Sequence, residues 1–172
     1  MEKEPNNNLE KLGEIKNFLI ESNKAGYGSG EERQWIKEAD GSTSINYESK
    51  DGEWKFHDNF FGGEPYGGRE VIFHQGKSEW MMVYYGEVSD KELDKNLVYA
   101  FLRKALMGAP DDLPVRGPAN LEETIDGQVW VYENSWTGDL ERFAGHEYIK
   151  LDGRQIYDAE YSGGLVDQHP AV

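Results

Sequence analysis

The chain has 172 residues, with 33 Asp plus Glu against 18 Lys plus Arg, a formal net charge of −15 and a pI near 4.6. That surplus repels a phosphate backbone and no Lys/Arg cluster forms a basic stripe, which argues against nucleic-acid binding. The longest apolar run, Trp80 to Tyr85, is too short for a membrane span, Met1–Asn8 does not read as a signal peptide, and zero Cys excludes disulfides, thiolate nucleophiles and Cys-ligated zinc, so a cytoplasmic protein is expected.

Leu, Ile, Val and Phe together supply only 36 residues, a proportion close to that of disordered chains at this charge. Five Trp and ten Tyr reverse that reading. They bring large apolar area with a polar handle, so the expectation is a folded domain with an aromatic core and internal side-chain hydrogen bonds.

In chain order, Asn8 to Ser22 places Leu12, Ile15 and Leu19 on one face of a first helix, which runs out towards Gly26. Gly26 to Thr43 reads as an irregular connector. Turn signals at Asp51-Gly52 and Gln75-Gly76 then divide Thr43 to Val88 into two hairpins, with Gly62-Gly63 and Gly67-Gly68 in a hairpin connection rather than a phosphate loop. Ser89-Asp-Lys-Glu92 has the form of a capping box opening a second helix with Leu93, Leu97, Phe101 and Leu106 inward, ending at Gly108-Ala-Pro110. Pro110 to Pro118 is a second connector. Asp126-Gly127 and Asp152-Gly153 divide the remainder into two further hairpins.

The two halves align. Trp54, Asp58, Phe60 and Gly62 have the spacing of Trp130, Asn134, Trp136 and Gly138, and Gly68-Arg-Glu70 matches Gly145-His-Glu147. The fold expected is therefore α+β: an internally duplicated α-β-β-β-β unit, mainly antiparallel, with two core helices in one pseudo-two-fold domain. The repeats would span about 8–88 and 89–166, with flexible ends at 1–7 and 167–172.

Alternation assigns Trp54, Phe56, Asp58 and Phe60, and Trp130, Tyr132, Asn134 and Trp136, to the inner face. In the last hairpin a three-residue loop with Gly153 left-handed groups Glu147, Ile149, Tyr157, Ala159 and Tyr161. By the same alignment Glu70 lies across from Trp80, beside Ile72, Met82 and Tyr84. The interior would thus hold Asp58, Glu70 and Glu147, and a buried carboxylate must be hydrogen-bonded, paired or protonated.

Two readings of these acids stand side by side. Glu70 and Glu147 either accept bonds from Tyr84, Tyr161 or an indole and set strand register, or they line an aromatic pocket for a cationic or polyhydroxyl small molecule. The candidate ligand-binding set is Trp54, Asp58, Glu70, Trp80, Tyr84, Trp130, Asn134, Glu147, Tyr157 and Tyr161. Outward, Met81, Val83 and Tyr85 form an apolar strip for a covering helix, a homodimer or a protein partner. His57, His74, His146 and His169 lack a metal-binding spacing, no Ser lies in a nucleophile elbow, and no cofactor is implied.

Phe61-Gly-Gly63, Gly68-Arg-Glu70, Trp80-Met-Met-Val-Tyr84-Tyr-Gly86, Pro114-Val-Arg-Gly-Pro118, Gly145-His-Glu147 and Tyr161-Ser-Gly-Gly164 carry a further signal. In these segments the chain resembles a bacterial domain-of-unknown-function family that occurs alone or behind a helix-turn-helix of the XRE regulator type. The resemblance implies a module able to act as the sensor of a neighbouring DNA reader; only one helix is expected before the first strand here, so direct promoter binding is not inferred. The leading expectation is a non-catalytic small-molecule-binding or sensory domain. The alternatives are an acidic, immunity-like interaction partner, or an enzyme using Asp58, Glu70 or Glu147 as acid or base.

Overall fold

The computed structural model describes residues 5–28 and 34–167. Helix α1 (Pro5–Gly28) is followed by strands β1 (Gln34–Lys37), β2 (Thr43–Glu48), β3 (Trp54–Gly62), β4 (Tyr66–His74) and β5 (Lys77–Val88). Helix α2 (Lys95–Met107) leads to β6 (Asn120–Ile125), β7 (Gln128–Gly138), β8 (Arg142–Leu151) and β9 (Arg154–Leu165). All nine strands form one antiparallel sheet in the order β1-β2-β3-β4-β5-β9-β8-β7-β6.

This corrects the expected architecture of two α-β-β-β-β units. The first half contributes five strands, because Gln34–Lys37 pairs with β2 inside a stretch read as connector, and β5 hydrogen-bonds to β9 so that the strands close into a single sheet. Of the ends read as flexible, residues 1–4 and 168–172 lie outside the described residues, while Pro5 already belongs to α1.

Turn chemistry explains the hairpins. Gln75-Gly76, Asp126-Gly127 and Asp152-Gly153 each have both residues at positive φ, the type I′ pattern whose twist suits adjoining strands. The last loop is thus two residues long, not three; a bulge between Ile149 and Lys150 supplies the extra residue and still brings Glu147, Ile149, Tyr157, Ala159 and Tyr161 to one face. A matching irregularity between Ile72 and Phe73 sets Ile72 opposite Trp80, so Glu70 faces Met82 rather than Trp80.

Helix α2 starts later than expected. Asp94 is its cap, accepting from the Asn96 N–H at 2.9 Å, whereas Asp90 stabilises a preceding turn through the Glu92 N–H. Phe101 and Leu106 are buried as expected and Leu97 is exposed. Both helices pack on the same face of the sheet. Helix α1 covers Phe56, Ile72, Trp80, Met82, Phe143 and Tyr161, and α2 covers Trp130, Tyr132, Ile149, Ile156 and Tyr157. Among the described residues neither helix covers the opposite face, where Val83 and Tyr85 are exposed.

Candidate functional site

Where the two helix-covered clusters meet, the sheet carries polar groups instead of aliphatic ones. Asp58 on β3 and Glu70 on β4 are direct cross-strand partners, 9% and 8% exposed, and Asn134 on β7 faces the fully enclosed Glu147 on β8 in the same way. Arg116, in the connector after α2, extends to this interior and is itself buried.

Glu147 is satisfied throughout. Arg116 donates to it through Nη2 to Oε1 and through Nε to Oε2 at 3.3 Å, Tyr132 donates at 2.6 Å and Tyr157 at 3.1 Å. Burial alone would favour loss of the Arg116 proton, but the Glu147 carboxylate overrides it and holds the guanidinium firmly charged. Burial, reinforced by the Glu147 charge, keeps the Tyr132 and Tyr157 phenols protonated far above their ordinary range. Tyr66 extends the network with a 2.6 Å hydroxyl contact to Tyr157. This is a closed ion-pair cluster, with the Arg116 guanidinium lying over the rings of Tyr161 and Tyr84 at 5.7 and 5.9 Å.

The first-half acids have different surroundings. Tyr84 donates to Asp58 at 2.5 Å, and burial together with the Asp58 and Glu70 charges raises its phenol pKa strongly. Asp58, Glu70 and Tyr84 line a cavity of about 270 Å³ between strands β1–β5 and α2. Trp35, Phe60, Tyr66 and Tyr99 add aromatic wall, Leu102 and Leu106 of α2 form an apolar side, and Arg103 and Arg116 are the cations of its lining. Tyr99 bonds the Glu64 carboxylate, whose other oxygen accepts from the Val88 N–H at 2.7 Å, so the β3–β4 turn, α2 and the end of β5 are tied together at this cavity.

The ten expected site residues therefore separate. Asp58, Glu70 and Tyr84 line the cavity. Glu147 and Tyr157 belong to the sealed ion-pair network, while Asn134 accepts from Tyr161 at 2.8 Å and donates to the Gly117 carbonyl at 3.0 Å. The tyrosines expected to serve Glu70 and Glu147 serve Asp58 and Asn134 instead. Trp54 stacks on His74, Trp80 on Phe143, and Trp130 packs against Phe101, all as structural aromatics. Tyr66, Tyr99, Arg103 and Arg116 also line the cavity and lie outside the set expected from the sequence. Only Arg116 carried a local signal, in the Pro114-Val-Arg-Gly-Pro118 segment.

A larger hollow, about 680 Å³, lies along the helix-free face against Val83, Tyr85, Trp136, His146, Glu160 and Ser162. It is broad and open, and none of its charged groups is buried. No group of three or more metal-ligating side chains gathers among the described residues, and no described helix is long and apolar enough to cross a membrane.

Residues 58–166, which include both acids of the cavity and the whole ion-pair network, match the family model described as Domain of unknown function (DUF5680). No curated protein and no solved structure matches the chain.

Proposed function

Because this chain belongs to the DUF5680 family, whose description names no activity, we propose from its cavity a non-catalytic small-molecule-binding domain that holds an organic cation. The single observation behind this reading is the Asp58–Glu70 pair: two buried carboxylates directly opposite one another, opening on one aromatic-walled cavity. The acidic groups that line this cavity favour a cation over an anion, and the aromatic faces of Phe60, Tyr66 and Tyr99 at its sides add cation–π attraction. A sensory role beside a DNA reader, as the family resemblance implies, is a narrower form of the same reading.

Calorimetric titration with benzylamine and tyramine tests it, with benzyl alcohol as the uncharged control. The amines are expected to bind and the alcohol not. Glu70→Gln and Asp58→Asn should each abolish amine binding while the ligand-free protein keeps its fold. Loss of fold in both variants, or equal binding of the alcohol, would sink the proposal.

A further inference from the structure

We infer that the cation is a quaternary ammonium compound, held by the rings of Trp35, Phe60, Tyr66 and Tyr99 as an aromatic cage. This rests on the cavity being an organic-cation site. The polar groups around the cavity are already engaged within the protein. Asp58 and Glu70 each have partners of their own, the Tyr84 hydroxyl among those of Asp58. Arg116 is bonded to Glu147, and the hydroxyls of Tyr66 and Tyr99 are bonded to Tyr157 and Glu64. A primary ammonium brings three N–H donors out of water, and donors left short of acceptors weaken binding. A quaternary ammonium has no N–H to satisfy. Its charge still suits a chain of net charge −15, and its methyl groups suit a wall that includes Ile45, Leu102 and Leu106.

The ring geometry supplies the attraction. Trp35 and Phe60 stand at 87° with centroids 6.4 Å apart, and Tyr66 and Tyr99 at 72° and 5.7 Å. Rings set near right angles bound a space from several sides, whereas parallel rings would tile a single wall. All four line the same cavity, so a cation inside it meets more than one ring. Tyr84 contributes less, because Arg116 already lies over its ring at 5.9 Å. Trp35 is the telling member. It is 64% exposed on the edge strand β1, outside both core clusters, yet it borders the cavity, and indole attracts cations more strongly than the other aromatic side chains do.

Matched probes separate this inference from the reading on which it rests. Benzylamine and benzyltrimethylammonium, which share a ring and differ at nitrogen, are titrated calorimetrically into the full chain, Trp35→Leu and Trp35→Phe. The quaternary ion should bind about fivefold tighter than the primary amine in the unaltered protein. Trp35→Leu keeps apolar bulk without the ring and should weaken the quaternary ion about fivefold; Trp35→Phe keeps a ring and should weaken it only about twofold. Because Trp35 is exposed, both variants should melt with the parent protein. Benzylamine binding as tightly as the quaternary ion would overturn the cage and leave the cation site standing. Undiminished quaternary affinity in Trp35→Leu would overturn it equally. Failure of both ions to bind would remove the cation site and this inference together.

Discussion

Arg116 and Glu147 meet as a doubly bonded ion pair inside the fold, one side chain from a connector and the other from the middle of β8. Taking two charges out of water is costly, and what offsets it here is complete coordination of the carboxylate by the guanidinium and two phenols. Removal of one member should therefore be far worse than removal of both. Arg116→Met is expected to destabilise by about 3–5 kcal/mol, and Arg116→Met with Glu147→Gln by distinctly less. Urea denaturation of the singles and the double measures the coupling; additive losses would mean that the pair is not a unit.

Tyr84 reports on the cavity floor. Its hydroxyl is bonded to Asp58, and a bond to a charged acceptor is worth about 1.5–3 kcal/mol. Tyr84→Phe should cost an amount in that range, read by chemical denaturation, and should weaken amine binding because Asp58 is no longer held in place. A variant with unaltered stability and affinity would show that Tyr84 contributes only its ring.

Alkali should unfold the protein through its interior phenols. Tyr161 is pushed up to about 12 by burial, and Tyr84, Tyr132 and Tyr157 are raised further by burial beside carboxylates. A phenol whose folded pKa exceeds its unfolded value near ~10 contributes stability that is complete below pH ~10 and is lost as pH rises through the folded value. For Tyr161 the loss spans pH ~10 to about 12, and the other three act with the same sign. The urea midpoint should fall steeply above pH ~10, with ultraviolet phenolate absorbance of these residues and loss of circular dichroism rising together. Phenolate formation by these residues in an intact fold would contradict the enclosed network.

Gly145 allows Tyr161 to lie flat across β8. A Cβ at this position would stand 2.1 Å from the Tyr161 ring, and Tyr161 in turn anchors Asn134. Gly145→Ala should cost about 1–3 kcal/mol through forced displacement of the ring. Thermal melting of Gly145→Ala and of Gly145→Ala with Tyr161→Leu checks the cause: the second substitution should recover part of the loss.

Local features were legible in the chain. Dipeptides such as Asp152-Gly153 marked turns because only certain residues accept two successive positive φ angles, and alternation placed Asp58, Glu70, Asn134 and Glu147 on the inner face because side chains alternate along a strand. The charge surplus and the need for aromatic burial were likewise matters of composition. Short-range ambiguity explains the misplaced cap, since Ser89 and Asp94 are both good capping residues and their tertiary surroundings choose between them. It also explains β1, four residues with no alternation of their own, which become a strand by pairing with β2.

What only the tertiary structure decided is the fate of each interior acid. Arg116 reaches Glu147 across 31 positions of chain and Tyr84 reaches Asp58 across 26, and no periodicity within a strand encodes such a meeting. Composition and alternation by themselves determined that carboxylates would be buried in an aromatic interior. The single-sheet topology and the path of the 113–118 connector determined that Glu147 would meet Arg116, and that Asp58 and Glu70 would line a cavity beside α2. The physical reason is the range of the forces: side-chain direction follows from the backbone one residue at a time, but electrostatic partnership depends on distances set by the whole fold.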